Sequence, residues 1–152
     1  MKTAMKIMMF GLAMGCEPKE VNSVVTGGDG NDALADCDIP PEIDHDNIDG
    51  SQTGGVDVLI TAFVYDDEVC DLGILGVDLF YAQSTAIDWT RISMTPGTEP
   101  EEWRAPIPGA AVGSAEMRYY IRAEDKAGNI EIDPPDADVD FLKAYSFGVS
   151  TR

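Results

Sequence analysis

The sequence predicts an all-β domain, an antiparallel sandwich of about seven strands. Short segments rich in β-branched and aromatic residues follow one another along the chain, and turn signals separate them. No segment keeps an amphipathic helical period over three turns. The strands are expected after Pro40-Pro41, which ends an acidic, glycine-rich stretch without periodicity.

Four strands are predicted in the first half of the domain: Val56–Tyr65, Val77–Ala82, Ile87–Thr95 and Trp103–Ile107. The first is apolar on both faces in its C-terminal half, which indicates a central strand. The fourth contains Pro106 and is followed by Pro108. We therefore expect it at a sheet edge, where a missing N–H is tolerated.

The clearest strand lies in the second half, at Glu116–Asp125, where two sets of side chains alternate. Met117, Tyr119, Ile121 and Ala123 share one face, and Arg118, Tyr120, Arg122 and Glu124 share the other. The alternation predicts that the first set faces the core. Ala127-Gly128-Asn129 then turns the chain into Ile130–Ile132, and Leu142–Val149 forms the last predicted strand.

This order of strands resembles the immunoglobulin-like or fibronectin-type-III-like modules of bacterial secreted proteins. The resemblance covers Ile39 to Val149 and is most specific at the sequence YYIRAEDKAGN, residues 119–129. In such modules this segment is the penultimate strand and its hairpin. The resemblance implies an immunoglobulin-like sandwich at residues 39–152.

The N-terminus has the layout of a secretory signal over residues 1–15. Lys2 and Lys6 precede the apolar run Ile7–Met14, and Gly15 precedes Cys16. The small residue followed by cysteine resembles the lipobox of bacterial lipoproteins, in which that cysteine is acylated. A plain cleaved signal is the alternative. Residues 16–38 then form an acidic tether.

The lipobox resemblance implies a protein anchored in the bacterial cell envelope by lipid at Cys16. Glu17 after that cysteine is similar to the outer-membrane sorting pattern. If Cys16 is acylated, Cys37 and Cys70 remain as an even pair in an oxidising compartment, and we predict a disulfide between them. Chain-entropy arithmetic gives such a bridge about 3.5 kcal/mol of stabilisation.

The formal charge of −18 limits the classes of partner. Nucleic acid is excluded, because its binding requires Lys and Arg to neutralise phosphates. Anionic lipid headgroups are repelled as well, so membrane attachment must come from acyl chains. An envelope protein or a polysaccharide remains as the expected partner.

The acidic loops raise the question of calcium, whose usual ligands are carboxylates. The candidate ligands are Asp66, Asp67, Glu68 and Asp71 in one loop. Asp44, Asp46 and Asp49 form a weaker set, and the single nonapeptide GGDGNDALA lacks the repeats that such motifs need. No cofactor is predicted, and any calcium binding is expected to be weak.

No catalytic set stands out. His45 is the only histidine, and its expected role is that of a loop histidine bonded to the backbone.

A docking surface is predicted at Arg118, Tyr120 and Arg122, because Arg and Tyr often anchor interfaces. The predicted function is a non-catalytic binding or structural module. The alternatives are a calcium-stabilised adhesion or carbohydrate-binding module and an accessory domain of a secreted hydrolase system.

Overall fold

The computed structural model describes residues 37–66 and 72–151 of the chain. Within them the chain forms ten strands in two sheets and no helix, which confirms the all-β sandwich. The strands are β1 (Glu42–Asp44), β2 (Ser51–Thr53), β3 (Val58–Tyr65), β4 (Ile74–Gln83), β5 (Thr90–Ser93), β6 (Thr95–Pro96), β7 (Glu102–Ile107), β8 (Met117–Asp125), β9 (Ile130–Asp133) and β10 (Tyr145–Ser150).

Sheet 1 has the strand order β1-β3-β7-β6, and all its pairs are antiparallel. Sheet 2 has the order β2-β10-β8-β4-β5, with β9 paired to β8 beyond the end of β10. The pairing of β10 with β2 is parallel, which differs from the purely antiparallel expectation. Sequence patterning does not detect β1, β2 and β6, because two or three residues are too short for an alternation.

The core lies between the sheets and is built from one face of each long strand. On β3 the inward residues are Val58, Ile60, Ala62 and Val64, and on β4 they are Val77, Leu79 and Tyr81. The predicted core face of β8 is confirmed, since Met117, Tyr119, Ile121 and Ala123 are all fully buried. Burial of this kind contributes roughly 1.5–3 kcal/mol for each large apolar side chain.

The predicted edge position of the fourth strand is only partly correct. β7 lies between β3 and β6, but β6 pairs only with Trp103 and Arg104. Pro106 therefore lies on the part of β7 that no further strand covers, where its missing N–H costs no ladder hydrogen bond.

The outer face of sheet 2 is covered by the connection between β9 and β10. Ala137 and Ala144 of that connection are buried with Tyr120, and they form a second, small hydrophobic core with Phe80, Trp89 and Ile132 around it. The outer face of sheet 1 has no such cover among the described residues.

Candidate functional site

The hairpin between β8 and β9 holds the segment that leads into the domain. The side-chain amide of Asn129 donates hydrogen bonds to the carbonyl oxygens of Cys37, at 2.6 Å, and Ile39, at 3.2 Å. The backbone N–H of Lys126 in the same turn donates to the carbonyl of Gly73, at 3.1 Å. Two pieces of chain far apart in sequence are thus attached to one turn.

Asp125 supports this turn from inside. Its side chain is only 3% exposed and accepts hydrogen bonds from the Asn129 backbone and side-chain amides, both at 2.8 Å. Burial alone would raise the pKa of Asp125, but these bonds, together with those from the amides of Gly128 and Ala127, lower it below its ordinary value. The carboxylate therefore stays ionised and has a structural role.

Most of the predicted lipidation, disulfide and calcium positions lie outside the described residues. This holds for Cys16, Cys70, Asp67, Glu68 and Asp71. Asp66 is described, and its carboxylate accepts a hydrogen bond from the backbone N–H of Gly73. Among residues 37–66 and 72–151 no group of three or more His, Cys, Asp or Glu side chains is arranged to hold a metal ion.

The predicted docking surface on β8 differs from expectation at its centre, because Tyr120 is only 5% exposed. Its ring is stacked on Phe80 at 4.6 Å and meets the edge of Trp89 at 4.9 Å. Tyr120 is therefore buried, whereas a docking surface centred on it would need its ring to be exposed. The reason is that the β9–β10 connection folds over this face.

The two arginines of that predicted surface are engaged within the domain. Arg118 donates to the carbonyl of Phe141 at 2.8 Å, lies over its ring and pairs with Glu116. Arg122 pairs with Glu124 at 2.9 Å and lies 4.0 Å from the buried carboxylate of Asp78. Neither arginine is an open positive charge, so the surface offers less to an acidic partner than its sequence suggests.

Asp78 is the other buried carboxylate, at 4% exposure. Arg91 pairs with it at 2.7 Å, and the hydroxyl of Ser93 donates to it at 3.0 Å. The hydrogen bond to Asp78 raises the pKa of Arg91 above its usual value. The pairing joins β4 to the edge strand β5, which gives Asp78 a structural role as well.

His45 is part of a hydrogen-bond network at the end of β1. Its Nδ1 donates to the carbonyl of Thr61 at 2.7 Å, and its Nε2 lies 2.9 Å from the hydroxyl oxygen of Tyr119. The backbone N–H of Ile48 donates to the same hydroxyl. Burial raises the pKa of Tyr119 to about 12, although the Ile48 bond acts in the opposite direction. Both ring nitrogens are thus engaged in holding this loop to the sandwich.

The outer face of sheet 1 carries an apolar stripe that the sequence reading missed as a site. Leu59, Thr61, Phe63 and Tyr65 point outward from β3, and Leu59 and Tyr65 are 57% and 40% exposed. The signal was present in the sequence, because β3 is apolar on both faces. That pattern predicts burial on both sides, whereas in the structure the outward side is open.

Carboxylates border this stripe, which we call the β3 face. Glu42 of β1 lies opposite Tyr65, Asp44 lies opposite Phe63, and on the other side Glu102 of β7 also lies opposite Phe63. Side chains directly opposite on neighbouring strands share a face of the sheet. Arg104 of β7, opposite Thr61, lies on the same face, 3.7 Å from Glu102. The stripe is therefore bordered by three carboxylates and one guanidinium.

Two depressions open along the β3 face. One, of about 330 Å³, is lined by Asp44, His45, Asp46, Leu59, Thr61 and Phe63. The other, of about 390 Å³, lies at the far end of β3 and is lined in part by Tyr65, Asp66, Glu99, Glu101, Glu102 and Trp103. Each has the size of a small ligand pocket and combines apolar surface with carboxylates.

Comparison with known proteins adds no identity to this geometry. No protein-family model matches the chain, and no curated protein is significantly similar to it. Among the described residues no helix is long and apolar enough to cross a membrane.

Proposed function

We propose that this chain is a lipid-anchored binding module of the bacterial cell envelope, without catalytic activity of its own. The observation that carries the binding role is the open β3 face, an apolar stripe between carboxylates on one outer side of the sandwich. An exposed apolar surface with a polar rim is typical of a site of association. The other outer side of the sandwich is covered by the domain's own chain.

The non-catalytic part of the proposal rests on the engagement of the polar side chains. His45 uses both ring nitrogens in hydrogen bonds, and the buried carboxylates of Asp78 and Asp125 are satisfied within the domain. A nucleophile needs an adjacent base that is able to accept its proton. Within the described residues, His45 instead holds the loop after β1 to the sandwich through its two hydrogen bonds.

An immunoglobulin-like or fibronectin-type-III-like identity is the finer fold that we propose. The two packed sheets and the central position of β8, which carries the motif of residues 119–129, support it. That motif has a clear task here, since Asp125 and Asn129 at its end hold the incoming chain. The tether would thus join the sandwich at a fixed point.

The anchor at Cys16 is tested by metabolic labelling with a fatty-acid analogue in a bacterial host. We expect the full chain to take up the label and to fractionate with membranes, and Cys16→Ser to lose both properties. Cys37→Ser is the matched control and should keep the label. Labelling and membrane fractionation of Cys16→Ser at the level of the parent would disprove the anchor.

A further inference from the structure

We propose that the β3 face binds an extended, positively charged polypeptide segment, one whose apolar side chains are flanked by lysine or arginine. The inference deepens the proposed binding function and rests on it. It also reverses the charge of the expected partner, because the basic residues on β8 are paired within the domain while the open face is acidic.

The length of the stripe indicates a polymer. Leu59 and Tyr65 lie six residues apart on one strand, and at 3.2–3.4 Å per residue this corresponds to about 20 Å. An extended peptide of about seven residues covers that distance. A single ion or a small amine would contact only one end of it.

The apolar side chains of the stripe require a partner that also has apolar side chains. Leu59 is 57% exposed, although its neighbours along the strand, Val58 and Ile60, are buried. Thr61 and Phe63 continue the same face and line the depression of about 330 Å³. An apolar side chain placed there would remove this surface from water, which favours binding.

The charges around the stripe select a cation. Carboxylates only accept hydrogen bonds, so the groups that meet Glu42, Asp44 and Asp46 must be donors. Within residues 37–66 and 72–151 none of these three forms an ion pair, whereas Arg104, the cation on this face, lies 3.7 Å from Glu102. Lysine and arginine supply donors together with the complementary charge.

The second depression places negative charge at the other end as well. Glu99, Glu101 and Glu102 line it beside Tyr65 and Trp103. Glu102 already accepts hydrogen bonds from the backbone amides of Glu99 and Thr98, which lower its pKa and keep it ionised. A partner with cations at both ends and apolar side chains between them therefore matches the whole stripe.

The test uses a synthetic peptide with the sequence Lys-Lys-Leu-Thr-Leu-Lys-Lys and the purified full chain. Binding is followed by NMR as shifts of backbone amide signals. We expect the largest shifts in β1, β3 and β7, and affinity that falls several-fold when salt shortens the Debye length to about 3 Å. Two control peptides replace all lysines by glutamate or both leucines by serine, and neither should bind.

Variants of the protein locate the site. The double variant Leu59→Ser with Phe63→Ser should bind the peptide with roughly tenfold lower affinity. Leu75→Ser is the matched control, because Leu75 is 61% exposed but lies on β4 in the other sheet, and its affinity should equal that of the parent. Circular dichroism of each variant verifies that it is folded.

Three results would overturn the inference: no shifts on the β3 face, shifts that the double variant leaves unchanged, or shifts on that face caused by a neutral glucose oligomer or phosphatidylcholine vesicles instead of the peptide. These outcomes are independent of the anchor. Peptide binding without membrane fractionation would reject only the lipid anchor, and membrane fractionation without peptide binding would reject only this inference.

Discussion

Asn129 connects separate pieces of the chain through one side-chain amide. Its donors contact the carbonyl oxygens of Cys37 and Ile39 and the carboxylate of Asp125. Because Asp125 is buried, a lost donor there leaves a charged acceptor without compensation. This residue therefore links the stability of the hairpin to the position of the incoming segment.

We expect Asn129→Ala to lower the free energy of unfolding by about 1–3 kcal/mol, the cost of leaving buried acceptors without donors. Urea denaturation measures the change. Lys126→Ala is the control, since Lys126 is exposed in the same turn and contacts Gly73 through its backbone N–H, which the substitution keeps. Its effect should stay within about 0.5 kcal/mol. Equal losses in the two variants would contradict the role of the side-chain amide.

The pH dependence of the same variant gives a second readout. The folded-state pKa of Asp125 is lowered, because the hydrogen bonds outweigh the opposing effect of burial. Such a carboxylate stabilises the fold above its unfolded pKa of about 3.9, and this stabilisation is lost as the pH falls through the lower, folded value. The parent should therefore lose more stability in acid than Asn129→Ala, in which one of those hydrogen bonds is missing.

The β9–β10 connection turns the outer face of sheet 2 into a second core. Phe141 of this connection contacts Trp89, and Trp89 in turn meets Tyr120, so three aromatic rings join three parts of the chain. Aromatic pairs in such edge or tilted arrangements contribute about 0.5–1.5 kcal/mol beyond their buried area. The cover is thus held by specific contacts.

We expect Trp89→Ala to lower the free energy of unfolding by roughly 3 kcal/mol, within the range for aromatic residues that pack in a core. Ile87→Ala on the same loop is the control, because Ile87 is 93% exposed and should change stability by less than about 0.5 kcal/mol. Chemical denaturation measures the free energy of unfolding of both variants. A Trp89 variant as stable as the control would show that the cover does not depend on this ring.

The long strands were predictable from the sequence, and the cover was not. The alternation in β8 assigned both its faces, because a strand with one buried side must repeat every two residues. The residues of the β9–β10 connection carry no such period. Whether they fold over Tyr120 depends on tertiary contacts with Phe80 and Trp89, which no local pattern records.

The same reason explains why the candidate site was missed. An apolar outward face on β3 predicts burial on both sides when a sheet is covered, and an open binding face when it is not. The sequence pattern around Leu59 and Tyr65 is the same in either case. Only the arrangement of the whole domain, with its cover on sheet 2, distinguishes the two interpretations.

The net charge of −18 is not spread evenly, because some carboxylates are paired with cations and others are not. Among the described basic residues, Arg91, Arg104, Arg118, Arg122 and Lys143 form ion pairs with nearby carboxylates. The carboxylates of β1 have no such partners within the described ranges. The β3 face is therefore an open part of the described surface with unpaired negative charge. Under the proposed function, long-range electrostatic attraction would steer a cationic partner towards it.

The point at which the tether joins the domain bears on the predicted Cys37–Cys70 disulfide. Cys37 and Gly73 are each hydrogen-bonded to the β8–β9 turn, through Asn129 and Lys126. Cys70 precedes Gly73 by three residues, a reach of at most about 10 Å. The distance along the chain from Gly73 is therefore short enough to allow the predicted bridge, which needs Cα atoms about 4.4–6.8 Å apart.

We expect mass spectrometry of non-reduced peptides from the secreted protein to find Cys37 linked to Cys70. The double variant Cys37→Ser with Cys70→Ser should lose about 3.5 kcal/mol of stability, because the unfolded chain regains the freedom that the closed loop removes. Cys16→Ser is the control and should unfold like the parent, since position 16 is the first residue of the tether and takes no part in the predicted bridge. Two alkylatable thiols at Cys37 and Cys70 in the native protein would reject the bridge. The chain would then be attached to the domain at this end by the Asn129 and Lys126 hydrogen bonds without a covalent link.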